Sequence, residues 1–380
     1  MNPFEDVLTD PTCRAREAKA RGQRVIGTAC VSVPLELIRA AGAFPLRIDS
    51  GSVEADQRAG EFPRDACPLT RACWGEYFAA AARPEVAGLL DAVVIPATCD
   101  WHYNLADRVR DRLPTMVLDV PRGKRVPGAI ERWRGQVSEL GRWLAERCGT
   151  AITREALAEA IGAYVAASQQ VRRLVALMRG ERPLVTGVAV LKALAALAWD
   201  DPAAWTAGAA AFADAAEAGP PQGPADPRCR VALLGSPPLW PHFVVPRLIE
   251  ESGATIVAEE SCGGARACYD TVYVDDPSLP GMTRAVADRY LLPCSCPCFV
   301  PNDDRLFRLR ALVEDARPDG AVYYVLKSCY VYDAEFAAVR QVLEELGVRT
   351  LRVESDYSSE SAEQLRTRLE TFVDMLAGRV

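Results

Sequence analysis

Short apolar segments that do not alternate with polar residues recur near both ends of this 380-residue chain. DAVVIPATCD and TMVLDV lie in the first third of the chain, and GAVYYVLKS lies in the last. Strands that are buried on both faces of a parallel sheet have this composition, because helices cover both sides of the sheet. The segments therefore predict an α/β fold with parallel sheets.

These segments belong to two units of similar architecture. Residues 25–50 predict a strand, a helix opened by Pro34 and a second strand after Gly42. A second unit starts at RVALLGSPPL and ends at VRTLRVES, with helices and strands in alternation between them. The sequence thus predicts two Rossmann-like lobes of the flavodoxin-like kind, each built on a parallel sheet.

A helical segment separates the two units. Residues 127–216 show long helical periodicity, as in ITREALAEAIGAYVAASQQVRRLVALM, without a convincing strand. The run AGPPQGPADPRC that follows is dense in Pro and Gly, which is typical of a linker between domains. We predict an N-terminal lobe over residues 1–126, a helical connector over 127–217 and a C-terminal lobe over 218–380.

The charge and the N-terminus exclude several classes of protein. The formal net charge of −7 argues against a nucleic-acid partner, which would require a basic surface. The N-terminus, MNPFEDVLTD, lacks the basic and apolar regions of a secretory signal, and no apolar run reaches the length of a membrane span. We expect a cytoplasmic protein that neither binds nucleic acid nor enters a membrane.

Cysteine is the residue type that points to chemistry. The chain has 13 cysteines and only 2 histidines. A cytoplasmic compartment keeps thiols reduced, so the cysteines do not predict a disulfide framework. Sites with thiolate ligands alone favour iron–sulfur clusters or zinc. We therefore expect an oxygen-sensitive metal centre.

Three cysteines stand where predicted strands end. Cys99 follows AVVIPAT, Cys262 follows TIVAEES and Cys329 follows AVYYVLKS. Open parallel sheets bind ligands outside the carboxyl ends of their strands, so these thiols occupy the positions where such folds carry out chemistry. Any one of them could instead be an ordinary buried cysteine, but three at strand ends favour a site in the cleft between the lobes.

Four further cysteines are candidate ligands. Cys294, Cys296 and Cys298 alternate in the Pro-rich segment LLPCSCPCFVPND, which predicts a loop whose thiols can converge on a metal. Zinc is the rival to iron here, although the spacing differs from the paired CxxC motifs of a zinc ribbon. Cys67 precedes a predicted helix, whose N-terminus is expected to lower the pKa of the thiol.

The remaining cysteines that we assign are predicted to be structural. Cys73 falls inside the helix after Cys67, and Cys13, Cys148 and Cys229 fall on helical or linker segments without neighbouring thiols.

Seven blocks of sequence, in a fixed order, resemble one family over the whole chain, namely the D-component of 2-hydroxyacyl-CoA dehydratases with the related benzoyl-CoA reductase subunits and double-cubane cluster proteins. The blocks are VSVPLELIRAAGAFPLRI, ACPLTRACWGE, ATCDW, ESCGGAR, RYLLPCSC with PNDDR, DGAVYYVLKSC and ESDYSSESAEQLRTRLETFVDML. In the dehydratase branch, the resemblance implies a single 4Fe-4S cluster on three cysteines that match Cys67, Cys99 and Cys329. The fourth iron would stay open to the substrate, as suits a radical dehydration of an acyl-CoA.

The other branch resembles this chain in having additional ligands. An 8Fe-9S double-cubane cluster needs six thiolates, and Cys262 with two of Cys294, Cys296 and Cys298 would complete the set. Counting back from Pro301 favours Cys296 and Cys298, but the third thiol of the triplet leaves the choice open. Such a protein is a low-potential reductase of small molecules.

Both branches resemble each other in taking electrons from a separate ATP-hydrolysing iron–sulfur activator. This chain has neither a GxxxxGK[ST] loop nor a GxGxxG fingerprint, so a partner must supply the electrons. A chain with all six ligands is expected to form a homodimer, whereas a dehydratase subunit would form a heterodimer with a homologous subunit. A non-catalytic metal protein or electron carrier is the third alternative.

Candidate catalytic residues are fewer and weaker. In the dehydratase branch, polar residues near Ser32 and Glu36 touch the substrate or act as a base, although a Ser ahead of Pro with an acid in the first turn also predicts simple helix capping. His102 follows Cys99 by three residues and could donate a hydrogen bond or a proton. Gly263 and Gly264 are expected to let the backbone approach the cluster closely, or to form a simple turn.

Overall fold

The computed structural model describes residues 3–86, 88–180, 182–223, 227–358 and 362–378. Within these ranges the chain forms two four-stranded sheets. The first contains β1 (Val25–Thr28), β2 (Phe44–Arg47), β3 (Ala92–Pro96) and β4 (Thr115–Leu118). Its strand order is β2-β1-β3-β4, and all of its neighbouring strands are parallel.

The second sheet repeats this arrangement. It contains β5 (Cys229–Gly235), β6 (Ala254–Glu260), β7 (Gly320–Leu326) and β8 (Arg349–Ser355). Its order is β6-β5-β7-β8, again with parallel neighbours. In both sheets the first strand lies inside and the second at an edge, which is the order of flavodoxin-like folds. The prediction of an α/β fold with two parallel sheets is confirmed.

The helices of the first lobe position one of the candidate thiols. They are α1 (Glu5–Thr9), α2 (Cys13–Ala20), α3 (Leu35–Ala40), α4 (Val53–Arg58), α5 (Pro68–Tyr77) and α6 (Asp100–Val109). Helix α5 lies directly against α4 because Gly75 has no side chain, and a Cβ at that position would lie 1.8 Å from the Ala55 carbonyl oxygen. This close packing fixes the N-terminus of α5, where Cys67 lies.

Four helices follow the first sheet: α7 (Ala129–Cys148), α8 (Arg154–Leu177), α9 (Gly187–Leu197) and α10 (Pro202–Ala218). The side chains of Thr153, Thr186 and Asp201 accept hydrogen bonds from backbone N–H groups at the starts of the last three. No strand interrupts them in the described residues, as the periodicity predicts. Residues 224–226 of the predicted linker lie outside the described ranges.

The second lobe alternates its strands with helices. They are α11 (Val244–Glu251), a short 3-10 helix (Ala265–Cys268), α12 (Leu279–Leu291), α13 (Asp303–Ala316), α14 (Tyr330–Glu345) and α15 (Ala362–Leu376). Strand β5 begins at Cys229, so this residue belongs to a strand and not to the linker, where the sequence placed it. The loop between α12 and α13 contains the Cys294–Cys298 triplet, which confirms that the triplet lies outside regular structure.

Apolar cores join the three predicted parts of the chain. One core includes Leu46 of the first lobe with Val171 of the helical segment, and another includes Ala72 with Ile256 of the second lobe. Trp133 donates a hydrogen bond of 2.8 Å to the Ala287 carbonyl oxygen of the second lobe. The division into three domains stays a prediction. Of the helices in the described ranges, none is long and apolar enough to cross a membrane.

Candidate metal centre

Cysteine thiols from both lobes lie close enough to interact electrostatically. Cys67 interacts with Cys99 and Cys329, so the three thiols come together from two lobes. This group is continuous with a second one, since Cys329 interacts with Cys262 and Cys99 interacts with Cys296. The structure thus brings the strand-end thiols and the cysteine-rich loop to one place.

The first group, which we call the helix-cap thiols, consists of Cys67, Cys99 and Cys329. Each is the N-cap residue of a helix, at the starts of α5, α6 and α14 respectively. Each thiol therefore lies beside the first backbone N–H groups of its helix, although none of the three side chains makes a capping hydrogen bond. A helix N-terminus favours negative charge, so these positions suit a thiolate.

Burial nevertheless dominates the pKa of these thiols. For Cys67 it raises the pKa well above its usual value, although the N–H groups of Leu69 and Thr70 lower it. Burial likewise raises the pKa of Cys329 to about 12, against hydrogen bonds from Tyr332 and Ser236. The expectation that the helix would leave Cys67 with a lowered pKa is wrong, because desolvation of a buried anion outweighs the helix N-terminus. Metal binding must therefore displace the protons.

The second group, which we call the loop thiols, consists of Cys262, Cys294, Cys296 and Cys298. Cys262 follows β6 and interacts with Cys296. The Cys298 thiol makes a hydrogen bond with Cys296, and this bond, together with burial, raises the pKa of Cys296 well above its usual value. No thiol of this group is a helix N-cap residue in the described structure.

Side chains of the first lobe hold the triplet loop in place. The Lys124 ammonium donates to the carbonyl oxygens of Leu292, at 3.1 Å, and of Cys294. It also lies 4.5 Å from the centre of the Phe299 ring. The N–H of Val300 donates to the carbonyl oxygen of Arg122 at 2.8 Å. These contacts bring the loop to the Cys99 end of the first sheet.

Cys30 is a further thiol in the group that sequence reasoning missed. It follows β1 and interacts with Cys262 and Cys296, and burial raises its pKa strongly. Its backbone adopts a left-handed conformation, with a φ of 65°, and its N–H donates to the Asp49 carboxylate at 2.9 Å. The strand-end argument applied to Cys99 would have found it, since VIGTAC was already predicted to begin with a strand.

The two glycines after Cys262 form a turn, which confirms one of the two roles expected of them. A Cβ at Gly264 would lie 2.3 Å from the Glu259 carboxylate, and a Cβ at Gly263 would lie 2.9 Å from Pro237. The Ala265 N–H donates to that carboxylate at 2.9 Å. The glycines therefore allow the chain to fold back over a buried acid, and the close approach of the backbone to a cluster stays a prediction.

The remaining cysteines are scattered. Cys73 is fully buried inside α5, and Cys229 is buried at the start of β5. Cys13 and Cys148 lie at the first residue of α2 and the last residue of α7. Their structural role stays a prediction. Cys268, which the sequence analysis did not assign, lines a cavity beside the loop thiols.

That cavity is narrow, with a volume of about 80 Å³, and lies between the lobes and the helical segment. Its walls include Cys262, Cys268, Glu36, Arg289 and Tyr290. The Tyr290 hydroxyl donates to Glu36 Oε2 at 2.9 Å, and burial raises the pKa of Glu36. A buried carboxyl group whose pKa is raised is a candidate proton donor.

Ser32 and His102, two of the candidate catalytic residues, make different contacts in the structure. Helix α3 begins at Leu35 with Pro34 as its N-cap and without a side-chain cap, so the predicted capping by Ser32 is wrong; its Oγ lies 3.8 Å from Cys30 Sγ instead. His102 Nδ1 lies 2.9 Å from Thr98 Oγ1 and 3.1 Å from the Pro96 carbonyl oxygen, and burial lowers its pKa. His102 thus braces the turn that presents Cys99.

The chemistry of the donor set fits an iron–sulfur cluster, because cysteine thiolates are the usual protein ligands of such clusters. In the described residues, no three His, Cys, Asp or Glu side chains are arranged to hold one metal ion. In an iron–sulfur cluster each protein thiolate binds a different iron, and the helix-cap thiols and the loop thiols can supply ligands of this kind. The buried Ser295 hydroxyl, between Cys294 and Cys296, has no hydrogen-bond partner among the described residues. A buried polar atom of this kind is costly unless a bound group satisfies it.

Comparison with known sequences identifies relatives along nearly the whole chain. The sequence model of the family described as 2-hydroxyglutaryl-CoA dehydratase, D-component, matches residues 30–376. The putative dehydratase subunit YjiM of Escherichia coli strain K12 is 29% identical over 95% of this chain and 93% of its own length. All of the thiols in the two groups lie inside the matched range.

Two of the more distant relatives are named as beta subunits of acyl-CoA dehydratases. The (R)-phenyllactyl-CoA dehydratase beta subunit of Clostridium sporogenes is 21% identical over 99% of this chain and 98% of its own length. The lactoyl-CoA dehydratase subunit beta of Anaerotignum propionicum is 23% identical over the same shares of the two chains. These relatives are similar to this chain in length as well as in sequence.

Proposed function

The chain belongs to the 2-hydroxyglutaryl-CoA dehydratase D-component family of enzymes, and on that basis we propose that it is a low-potential iron–sulfur reductase of small molecules. The observation that carries the proposal is the continuous group of buried thiols between the lobes. A single cube requires three thiolates, and this chain brings more than twice that number together. An 8Fe-9S double-cubane cluster would use them.

The helix-cap thiols are the proposed ligands of one cube, namely Cys67, Cys99 and Cys329. Their support is local, because each lies at the start of a helix, whose N-terminus favours negative charge on the sulfur. Charge and hydrogen bonding around the cysteine sulfurs are among the factors that set a cluster's potential.

The loop thiols are the proposed ligands of the second cube. Cys262 and Cys296 interact with each other, and Cys298 is joined to Cys296 by a hydrogen bond. Cys294 interacts with Cys296 and with Lys124. The Lys124 ammonium also donates to the Cys294 carbonyl oxygen and so fixes the backbone there. We therefore assign Cys262, Cys296 and Cys298 as ligands and leave Cys294 outside the set.

When bound, such a cluster would supply single electrons at low potential to a substrate close to it. The cavity beside Cys262 is the place for that substrate. Its volume of about 80 Å³ suits a molecule of a few non-hydrogen atoms. The Tyr290 hydroxyl orients the Glu36 carboxyl group, whose pKa is raised by burial, and this carboxyl group is the proposed proton donor to a reduced substrate in the cavity.

Charges around the cavity would bind and orient the substrate. The Arg289 guanidinium is held by the carbonyl oxygens of Asp270, at 3.0 Å, and of Ala267, and it lies 4.3 Å from the centre of the Tyr290 ring. It therefore keeps a fixed positive charge on the wall opposite apolar residues of α8 and α9. Ser32 and His102 are assigned no proton transfer, and His102 acts by bracing the Cys99 turn.

The electrons are proposed to come from a separate ATP-dependent iron–sulfur activator, since the chain itself carries no phosphate-binding loop. One chain would supply all the ligands of its cluster, so we propose a homodimer. The cytoplasm is the compartment that keeps the thiols reduced.

A second function is favoured by the relatives. Several are named as beta subunits of acyl-CoA dehydratases, and they match this chain end to end. In that case the helix-cap thiols would hold a single 4Fe-4S cluster, and the chain would pair with a homologous subunit. The loop thiols would then have no metal to bind.

Metal analysis of the anaerobically purified protein separates these functions. About eight irons per chain, with matching acid-labile sulfide, is the expected result, whereas about four would select the single-cube dehydratase function. Zinc without iron would overturn both and leave a non-catalytic metal protein. Reduction of small substrates by the iron-loaded protein, with the activator and ATP, then tests the reductase activity directly.

A further inference from the structure

Arg266 is a buried cation beside the loop thiols. It lies in the 3-10 helix after Cys262, and its side chain is 5% exposed. Its Nη1 lies 3.3 Å from Glu260 Oε1 and 3.4 Å from the Ser295 carbonyl oxygen, next to Cys296. The guanidinium thus stands between the two segments that carry Cys262 and Cys296.

Tyr332 joins Arg266 to the sulfur of Cys262. The Arg266 guanidinium donates to the Tyr332 hydroxyl, which in turn lies 3.6 Å from Cys262 Sγ, within the range of a hydrogen bond to sulfur. Tyr332 is on α14, three residues after Cys329. Tyr323 donates to the carbonyl oxygen of Tyr332 at 2.9 Å and makes no such contact with a thiol.

Arg266 shares its acid with a second arginine. The second oxygen of Glu260 binds Arg305, which also binds Glu335. On its other side, the Arg266 guanidinium faces the Cys262 sulfur through the Tyr332 hydroxyl.

The helix-cap thiols are stabilised in another way. Cys67, Cys99 and Cys329 each lie at the start of a helix, where the amide dipoles favour negative charge, and Arg122 is a cation that interacts with Cys99. A full positive charge held in a low-dielectric interior acts more strongly on a nearby anion than amide dipoles do. The two groups therefore differ in the means by which they would hold negative charge.

We propose that Arg266 is a positioning residue which, through Tyr332, stabilises negative charge on the loop thiols and raises the reduction potential of the metal group that they hold above that of the group on the helix-cap thiols. The inference rests on the proposed function, since it requires metal on the loop thiols. It also predicts the direction of electron transfer, because the electron would reside on the metal group held by the loop thiols, beside the cavity that Cys262 lines.

A potentiometric titration followed by electron paramagnetic resonance tests this on four variants of the iron-loaded full chain. Arg266→Gln removes the charge and is expected to move one of the two potentials to a more negative value. Arg266→Lys keeps the charge and is expected to restore most of the shift. Tyr332→Phe removes the hydrogen bond to Cys262 and is expected to give a smaller shift of the same sign. Tyr323→Phe is the matched control and is expected to give none.

Several outcomes overturn the inference. Iron-loaded Arg266→Gln with unchanged potentials would do so while the proposed function stands, and so would equal shifts in Tyr332→Phe and Tyr323→Phe, which would indicate a structural effect alone. If Arg266→Gln fails to load iron, the comparison of the two tyrosine variants decides, because both retain every buried charge. Wild-type protein without iron would overturn the inference and the proposed function together.

Discussion

The helix-cap thiols and the loop thiols differ in what fixes them. Cys67, Cys99 and Cys329 are held by the backbone, because each is the N-cap residue of a helix. The loop thiols are held by side chains, namely those of Lys124, Arg266 and Tyr332. The backbone of the fold therefore positions the helix-cap thiols, whereas side-chain contacts position the loop thiols.

This difference has a functional meaning. A site built from helix starts is fixed by the backbone, so it suits the part of the chemistry that both candidate functions share. A site held by charged side chains can be gained or changed without altering the sheets. The predictions below separate the two groups, from the largest expected effect to the smallest.

Substitution of a helix-cap thiol is expected to have the largest effect. Cys329→Ser removes the ligand that interacts with both Cys99 and Cys262. We expect loss of bound iron and a fall in activator-dependent activity of at least about 100-fold, because even residues outside the ligand set change affinity or activity by about 10- to 100-fold. Iron analysis and far-UV circular dichroism of the same sample measure the two effects.

The fold is expected to survive that change, since apolar side chains cover both faces of each sheet. Cys148→Ser, at the end of α7 and away from the site, is the matched control and should retain iron. Full iron content and activity in Cys329→Ser would remove the helix-cap thiols from the proposed site.

Substitution of a loop thiol is expected to have an intermediate effect. Cys262→Ser should remove about half of the iron if the chain holds two cubes, and leave the iron unchanged if the helix-cap thiols hold a single one. The measurement is iron per chain, with a spectrum before and after reduction. Unchanged iron in this variant, with full content in the wild type, would contradict the double-cubane assignment.

The triplet offers a finer test within the loop. Ser replacements of Cys296 and of Cys298 are each expected to lower the iron content as Cys262→Ser does, whereas Cys294→Ser should not. The reason is that Cys296 interacts with thiols of both groups and with Cys298, whereas Lys124 already binds the Cys294 carbonyl oxygen. Loss of iron in the Cys294 variant only would reverse the assignment.

Much of the fold and half of the site could be predicted from the sequence. Strands buried on both faces have a distinctive composition, and the rule that chemistry lies at their carboxyl ends located Cys99, Cys262 and Cys329. The triplet was found from its spacing. Cys30 obeys the same rule but lacks a second signal nearby, and it was therefore overlooked.

What could not be predicted depends on packing in three dimensions. The helix start near Cys67 was visible, but the burial that reverses its effect on the pKa depends on residues far away in the chain. Arg266 and Tyr332 are 66 residues apart, so no local pattern relates them to one thiol. Ser32 follows the usual rule for helix capping, yet the helix begins after Pro34 and leaves its hydroxyl beside Cys30.

The smallest expected effect is on the stability of the fold near the loop thiols, and it comes from Glu259, the acid beneath the loop that follows Cys262. Burial raises the pKa of Glu259 to about 7 from an ordinary value of 4.5. Below pH 4.5 the folded and unfolded chains both hold this proton, and between pH 4.5 and 7 only the unfolded chain releases it. The free energy of unfolding should therefore fall as the pH rises through this interval, by about 3 kcal/mol from this group.

Glu259→Gln should flatten that part of the stability profile in metal-free protein, as measured by urea unfolding at several pH values. Glu363→Gln, at an exposed position, is the control and should not flatten it. A profile in Glu259→Gln as steep as that of the wild type would assign the pH dependence to groups elsewhere, and the support of the loop thiols would then be as insensitive to pH as that of the helix-cap thiols.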